Sequence, residues 1–94
     1  NADKVKELFD AGSAAYSAKN YEEAAVNLGQ VVQVDEKYEN GYALYYLARS
    51  YEALSENEKA VEMFQRFAAA FPGTERAAYS NQAIARLSAQ TQQN

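Results

Sequence analysis

The 94-residue chain contains no cysteine and no histidine. Without cysteine there is no disulfide, no thiolate nucleophile and no Cys-ligated metal. The redox compartment stays open, because an extracytoplasmic chain can do without the residue. Without histidine the chain also lacks the usual general base near neutral pH and the commonest metal ligand. Proline occurs once and glycine four times. So few turn-forming residues favour a few long helices over many short strands. No run approaches the 18 or so apolar residues of a membrane span, so no direct membrane insertion is expected of this segment, and no signal-like segment opens it. An excess of basic charge is missing too. Nine Lys and Arg stand against 13 Asp and Glu, giving a net charge of −4 and a pI near 4.7. A nucleic-acid partner, which needs a basic face to displace counterions, is not expected.

What is present suits one folded domain close to the lower size limit for an independent core, with 48% hydrophobic residues. The chain opens at Asn1 without methionine, and is expected to be a piece of something longer. Its apolar residues fall at helical spacing. Val5, Leu8, Phe9, Gly12, Ala15 and Tyr16 form one stripe, and Tyr21, Ala24, Ala25, Leu28, Val31 and Val32 form the next. Only Lys19 and Asn20 separate them, so the two helices must fold back as an antiparallel hairpin. A second pair follows: Leu44, Leu47, Ala48, Tyr51 and Leu54, then Ala60, Phe64, Phe67, Ala68 and Phe71. Asn20 with Glu23, and Ser55 with Glu58, have the spacing of capping boxes. Pro72 and Gly73 stop the fourth helix, and Thr74 is placed to cap a fifth whose buried face includes Ala77, Ile84 and Leu87. The tail from Gln90 to Asn94 is expected to fray.

The two hairpins superimpose at an offset of 36 residues. Leu8 falls on Leu44, Phe9 on Tyr45, Gly12 on Ala48, Glu22 on Glu58, Ala24 on Ala60, Leu28 on Phe64 and Val31 on Phe67. Small residues recur where helices would cross and large ones where a core needs filling, as in a stacked helical repeat.

These residues resemble the tetratricopeptide repeat, a helical hairpin of about 34 residues with the pattern W-x2-L-G-x2-Y, then Ala, an aromatic and Pro. Leu44, Leu47, Ala48, Tyr51, Ala60, Phe64 and Pro72 fill those slots in the second hairpin, and Leu8, Ala11, Gly12, Ala15, Ala24 and Leu28 fill them less fully in the first. The stretch Lys19 to Leu28 looks like the family's turn and second helix. Glu36 stands in the place of the family's proline, two extra residues lengthen the loop around Asp35–Gly41, and Asn57 replaces the aromatic that Tyr21 supplies in the first hairpin. The resemblance implies an all-α fold of about five helices, antiparallel hairpins stacked as a short right-handed superhelix. It divides the chain into repeat one at about 4–37, repeat two at about 41–73, a capping helix at about 74–90 and a frayed tail at 91–94.

No catalytic constellation is expected. Glu22-Glu23 and Asp35-Glu36 are neighbours in sequence, which do not face each other on a helix and sit where carboxylates favour helix ends or solvent. No phosphate loop, nucleophile elbow or metal spacing occurs, so neither enzyme activity, metal nor cofactor is expected. The eight tyrosines are more informative. Tyr51 belongs to the packing stripe, whereas Tyr42, Tyr45 and Arg49 share a face offset from it. The resemblance implies that this offset face, with Phe9, Ser13 and Tyr16 on the first hairpin, lines a concave groove that receives a protein or peptide. Aromatic rings beside an arginine suit that role. The alternative is that the rings pack on a neighbouring helix. The chaperone-carboxylate clamp found in part of the family is not expected, because Phe9, Ser13 and Tyr46 fill its cationic and amide slots. An extended or helical apolar segment fits better.

A second expectation is a structural or self-associating domain of a larger bacterial membrane-anchored or envelope protein, from the resemblance of Ala68 to Leu87 to repeats of such proteins. It places the chain in an extracytoplasmic part, and otherwise in the cytoplasm. Arg76 and Arg86 mark the last helix as a polar cap. Self-association follows if the outer face of the first helix, around Val5 and Phe9, is apolar.

Overall fold

The computed structural model describes residues 1–92. Five helices follow one another: α1 (Ala2–Ser17), α2 (Tyr21–Val34), α3 (Tyr42–Ala53), α4 (Asn57–Ala70) and α5 (Glu75–Gln92). No strand occurs among the described residues. Each helix packs on the next, so the fold is an all-α stack of antiparallel hairpins measuring 42 × 27 × 19 Å. The fifth helix runs through Gln92; residues 93 and 94 of the tail lie outside the described residues.

The offset of 36 residues is carried into the backbone. At the end of α1, Asn20 N–H donates to the Ala15 carbonyl at 2.8 Å and Lys19 N–H to the Tyr16 carbonyl at 3.0 Å. At the end of α3, Glu56 N–H donates to Tyr51 at 2.9 Å and Ser55 N–H to Glu52 at 3.0 Å. Both are Schellman closures, whose penultimate residue takes the left-handed conformation. Lys19 (φ 66°) and Ser55 (φ 61°) occupy it, although neither is glycine.

This turn overrides both capping boxes. Asn20 precedes α2 with φ −90° and ψ 78° and makes no side-chain cap. That ψ lies short of the extended region from which a cap side chain reaches back to the helix N–H groups. Its amide donates instead to Glu23 Oε1 at 3.2 Å. Ser55 is the left-handed residue of the turn rather than a cap, and the cap position falls on Glu56, again without a side-chain bond. Thr74 does cap α5: its hydroxyl accepts from Ala77 N–H at 3.1 Å and donates to the Phe71 carbonyl at 2.9 Å. Asn1, unanticipated, caps α1 by accepting from Lys4 N–H at 2.9 Å.

The core runs along the seam of the hairpins. Leu28, Val31, Leu44, Phe64 and Phe67 are its largest fully buried apolar side chains, interleaved with Ala24, Ala48 and Ala60. On α5 the buried face is Ala77, Ser80, Ala83 and Leu87, with Ile84 half-buried at its margin. Burying apolar area at about 25 cal/mol per Å² drives this stacking. Gly12 lets α1 cross α2 closely, since a methyl there would stand 2.7 Å from Leu28 Cγ.

The inter-repeat loop departs from regular turns. Asp35 Oδ1 accepts from Lys37 N–H at 2.9 Å, and Glu39, Asn40 and Gly41 all have positive φ (51°, 55° and 86°). The two extra residues therefore form a left-handed bend that delivers α3 against the end of α4. Gly41 sits so close to Phe67 and Phe71 that a Cβ would overlap both rings. The outer face of α1 is not apolar: Val5 is buried, Phe9 is half-buried, and Asp3, Lys4, Lys6, Glu7 and Asp10 face solvent.

Candidate functional site

The inner faces of α1, α3 and α5 meet along one side of the stack, where rings and guanidinium groups interlock. Tyr16 of α1 lies flat against Tyr46 of α3, with centroids 4.6 Å apart and planes 15° apart. Tyr21 meets Tyr16 in an edge-type contact at 5.9 Å, and Tyr42 flanks Tyr46 at 5.6 Å. Arg76, at the start of α5, places its guanidinium 4.3 Å from the centre of the Tyr42 ring. The result is a half-exposed ladder, Tyr21–Tyr16–Tyr46–Tyr42–Arg76, with contributions from four helices. Ring quadrupoles favour both the offset stacks and the cation above them.

Beside the ladder, Glu52 is the hub of an ionic network. It pairs with Arg49 Nε at 3.2 Å and Arg86 Nη2 at 2.6 Å, and accepts the Tyr79 hydroxyl at 3.1 Å to each carboxylate oxygen. The Glu52 side chain is only 16% exposed, so these charge-assisted bonds are partly shielded from water. Arg49 lies 4.5 Å from the centre of the Tyr79 ring and donates weakly to the Tyr45 hydroxyl at 3.4 Å. Burial pushes the Tyr79 hydroxyl above its ordinary pKa of 10.0, with Arg49 opposing and Glu52 reinforcing. Burial likewise raises Tyr16, against the opposing field of Arg49. Both hydroxyls stay protonated at neutral pH, and that of Tyr79 donates to Glu52. A cavity of about 220 Å³ opens between Tyr16, Tyr21, Arg49, Glu52, Ala53 and Tyr79.

The six residues expected at the groove separate into three groups. Tyr16, Tyr42 and Arg49 are half-buried on this face. Phe9 pairs with Tyr38 of the inter-repeat loop at 5.2 Å, and the Ser13 hydroxyl is buried without a hydrogen-bond partner. Tyr45 is a core residue, 7% exposed and packed on Phe64, Phe67 and Tyr79 at 5.2–6.2 Å. Tyr46, expected here only as the occupant of a clamp slot, joins this face, and Glu52, Arg76, Tyr79 and Arg86 were not anticipated on it. The spacing of Arg76, Tyr79 and Arg86, three and then seven residues apart, was a helical-face signal available in the sequence.

The face offers flat rings, two guanidinium groups lying over them and the Tyr79 hydroxyl held by Glu52, a combination that suits the docking of a chain. Comparison with protein families finds a model described as tetratricopeptide repeat over residues 42–74, covering α3, α4 and the turn into α5. No curated protein and no solved structure matches the chain.

Proposed function

Residues 42–74 are a tetratricopeptide repeat, the building block of protein-interaction modules, and from that premise we propose that the chain binds a peptide or protein segment on the face formed by α1, α3 and α5. The observation that supports this reading most directly is the ring ladder from Tyr21 to Arg76, which spans both hairpins and α5 without being sealed in the core. Large rings with two rotatable bonds provide contact area at low entropic cost, which is why they concentrate in binding hot spots. The cavity between Tyr16 and Tyr79, lined by Arg49 and Glu52 as well as by rings, provides a recess beside the ladder for a polar side chain of the partner. The module acts by holding its partner and performs no turnover.

The test starts from peptides selected from a phage-displayed random library on the immobilised domain. Tyr42→Ala and Tyr16→Ala are expected to weaken the selected peptides at least about tenfold, or 1.4 kcal/mol. Circular dichroism should show helicity unchanged. Tyr45 is unsuitable for this purpose because its truncation would open the core. Selected peptides that bind both variants as tightly as the parent would refute the assignment of the face.

A further inference from the structure

The second helix carries a surface feature that its own fold does not use. From Ala24 to Val34 no residue is charged, although 23% of the chain is Asp, Glu, Lys or Arg. The equivalent stretch of α4, offset by 36 residues, carries Glu62 and Arg66. The two large apolar side chains most exposed among the described residues, Val26 at 63% and Val34 at 67%, both stand on this uncharged run. Beside it a groove of about 340 Å³ separates α2 from α4, with Gly29 and Gln33 on one wall, Met63 and Arg66 on the other, and Leu47 and Tyr51 as its floor. Val26 also borders a second hollow of about 280 Å³ past Leu54, whose charged rim, Glu22, Glu56 and Lys59, lies outside the uncharged run. Arg66 is occupied, paired to Glu62 at 2.7 Å and lying 3.9 Å from Glu36.

Gly29 is the informative residue. Glycine weakens a helix interior, and a Cβ at this position would meet nothing within 4 Å. Packing within the chain therefore does not require it, unlike Gly12. Gly29 is half-buried at the groove, and its bare backbone on an uncharged run admits the close approach of another helix.

We propose that this face is the interface of a symmetric homodimer, in which α2 of each copy lies along the α2/α4 groove of the other. Three observations point to a second copy rather than a foreign chain. The same molecule offers the ridge (Val26, Val34) and, next to it, the groove that such a ridge would fill, which is the self-complementarity an isologous contact requires. In such a contact residues near the axis meet their own equivalents, so a charge there would face itself. This run has none, while the chain as a whole carries −4. Midway between Val26 and Val34 stands Gln30, exposed, whose amide both donates and accepts and can pair with its own copy across a two-fold. Its Nε2 now donates to the Val26 carbonyl at 3.3 Å, near the outer limit of a hydrogen bond. The interface shares no residue with the ring ladder, so it does not depend on the reading given to that face.

Sedimentation equilibrium tests the dimer on the whole chain. The average mass should climb from 10.4 kDa toward twice that value as concentration rises. Gln30→Glu should shift the association at least about tenfold weaker, with helicity unchanged and with melting unchanged at concentrations where wild type is monomeric. Mixing Gln30→Glu with Gln30→Lys should restore a dimer containing one of each, as a two-fold at this residue demands. A wild-type chain that remains at 10.4 kDa up to about 1 mM overturns the proposal. So does Gln30→Glu associating as strongly as wild type, or a mixture that fails to pair.

Discussion

The carboxylate of Glu52 on α3 receives the guanidinium of Arg86 on α5 at 2.6 Å, across a sequence separation of 34 residues. The same carboxylate holds Arg49 and the Tyr79 hydroxyl. One acidic side chain therefore ties the last helix to the second hairpin. Glu52→Gln keeps the volume but leaves Arg49 and Arg86 without their counter-charge, and is expected to cost about 1–2 kcal/mol, less than for a fully buried pair because Arg86 is half-exposed. Arg86→Gln should cost less than Glu52→Gln, since Glu52 then retains two partners. Thermal melting of both variants checks the order, at about 4–8 °C per kcal/mol for a domain of this size.

Alkaline titration follows from Tyr16 and Tyr79, both raised above 10.0 in the folded state, chiefly by burial. The folded chain keeps these protons at a pH where the unfolded chain begins to lose them. Their contribution to stability is therefore complete below pH 10 and falls away as pH rises through the folded values. Melting temperature should decline above about pH 10, and Tyr79→Phe should flatten the decline while removing the bond to Glu52.

Positive-φ positions make an internal comparison. Gly41 (φ 86°) and Gly73 (φ 83°) share a left-handed backbone, but only at Gly41 would a methyl overlap neighbouring rings. Gly73→Ala should cost about 1–2 kcal/mol from backbone strain alone. Gly41→Ala should add an overpacking cost of about 1–3 kcal/mol. Conversely, Ser55→Gly relieves strain at a left-handed serine and should stabilise the chain by up to about 1 kcal/mol. Urea denaturation with matched slopes reads all three.

Caps separate in the same way. Thr74→Ala removes a side-chain acceptor for Ala77 N–H and should cost about 1 kcal/mol. Asn20→Ala removes no cap bond, only the exposed contact to Glu23 at 3.2 Å, and should change stability by less than about 0.5 kcal/mol. Equal losses at the two positions would contradict the geometry of the first hairpin turn.

Much of the fold was legible because helical periodicity is local. Leu28, Phe64 and Ala60 recur at spacings that only a helix brings to one face, and the repeat carries that face into the core. The capping boxes failed for an equally local reason with a weak signature. Lys19 and Ser55 adopt a conformation usually marked by glycine, and this sets the backbone of the next residue before its side chain can cap. The surface was less legible. Tyr42, Tyr45 and Arg49 share a helical spacing, yet Tyr45 is committed to Phe67 while Tyr42 lies under Arg76.

By itself the sequence determined helix type, hairpin pairing, the repeat offset and the apolar stripes, because these follow from the period of 3.6 residues and from very short connections. Only the tertiary structure decided which rings face inward, that Glu52 gathers groups from α3 and α5, and that an uncharged run on α2 borders an open groove. Those features depend on how far apart packed helices sit and how they rotate about their axes. Both are set by side-chain volumes meeting across the core, which sequence spacing along one helix does not encode.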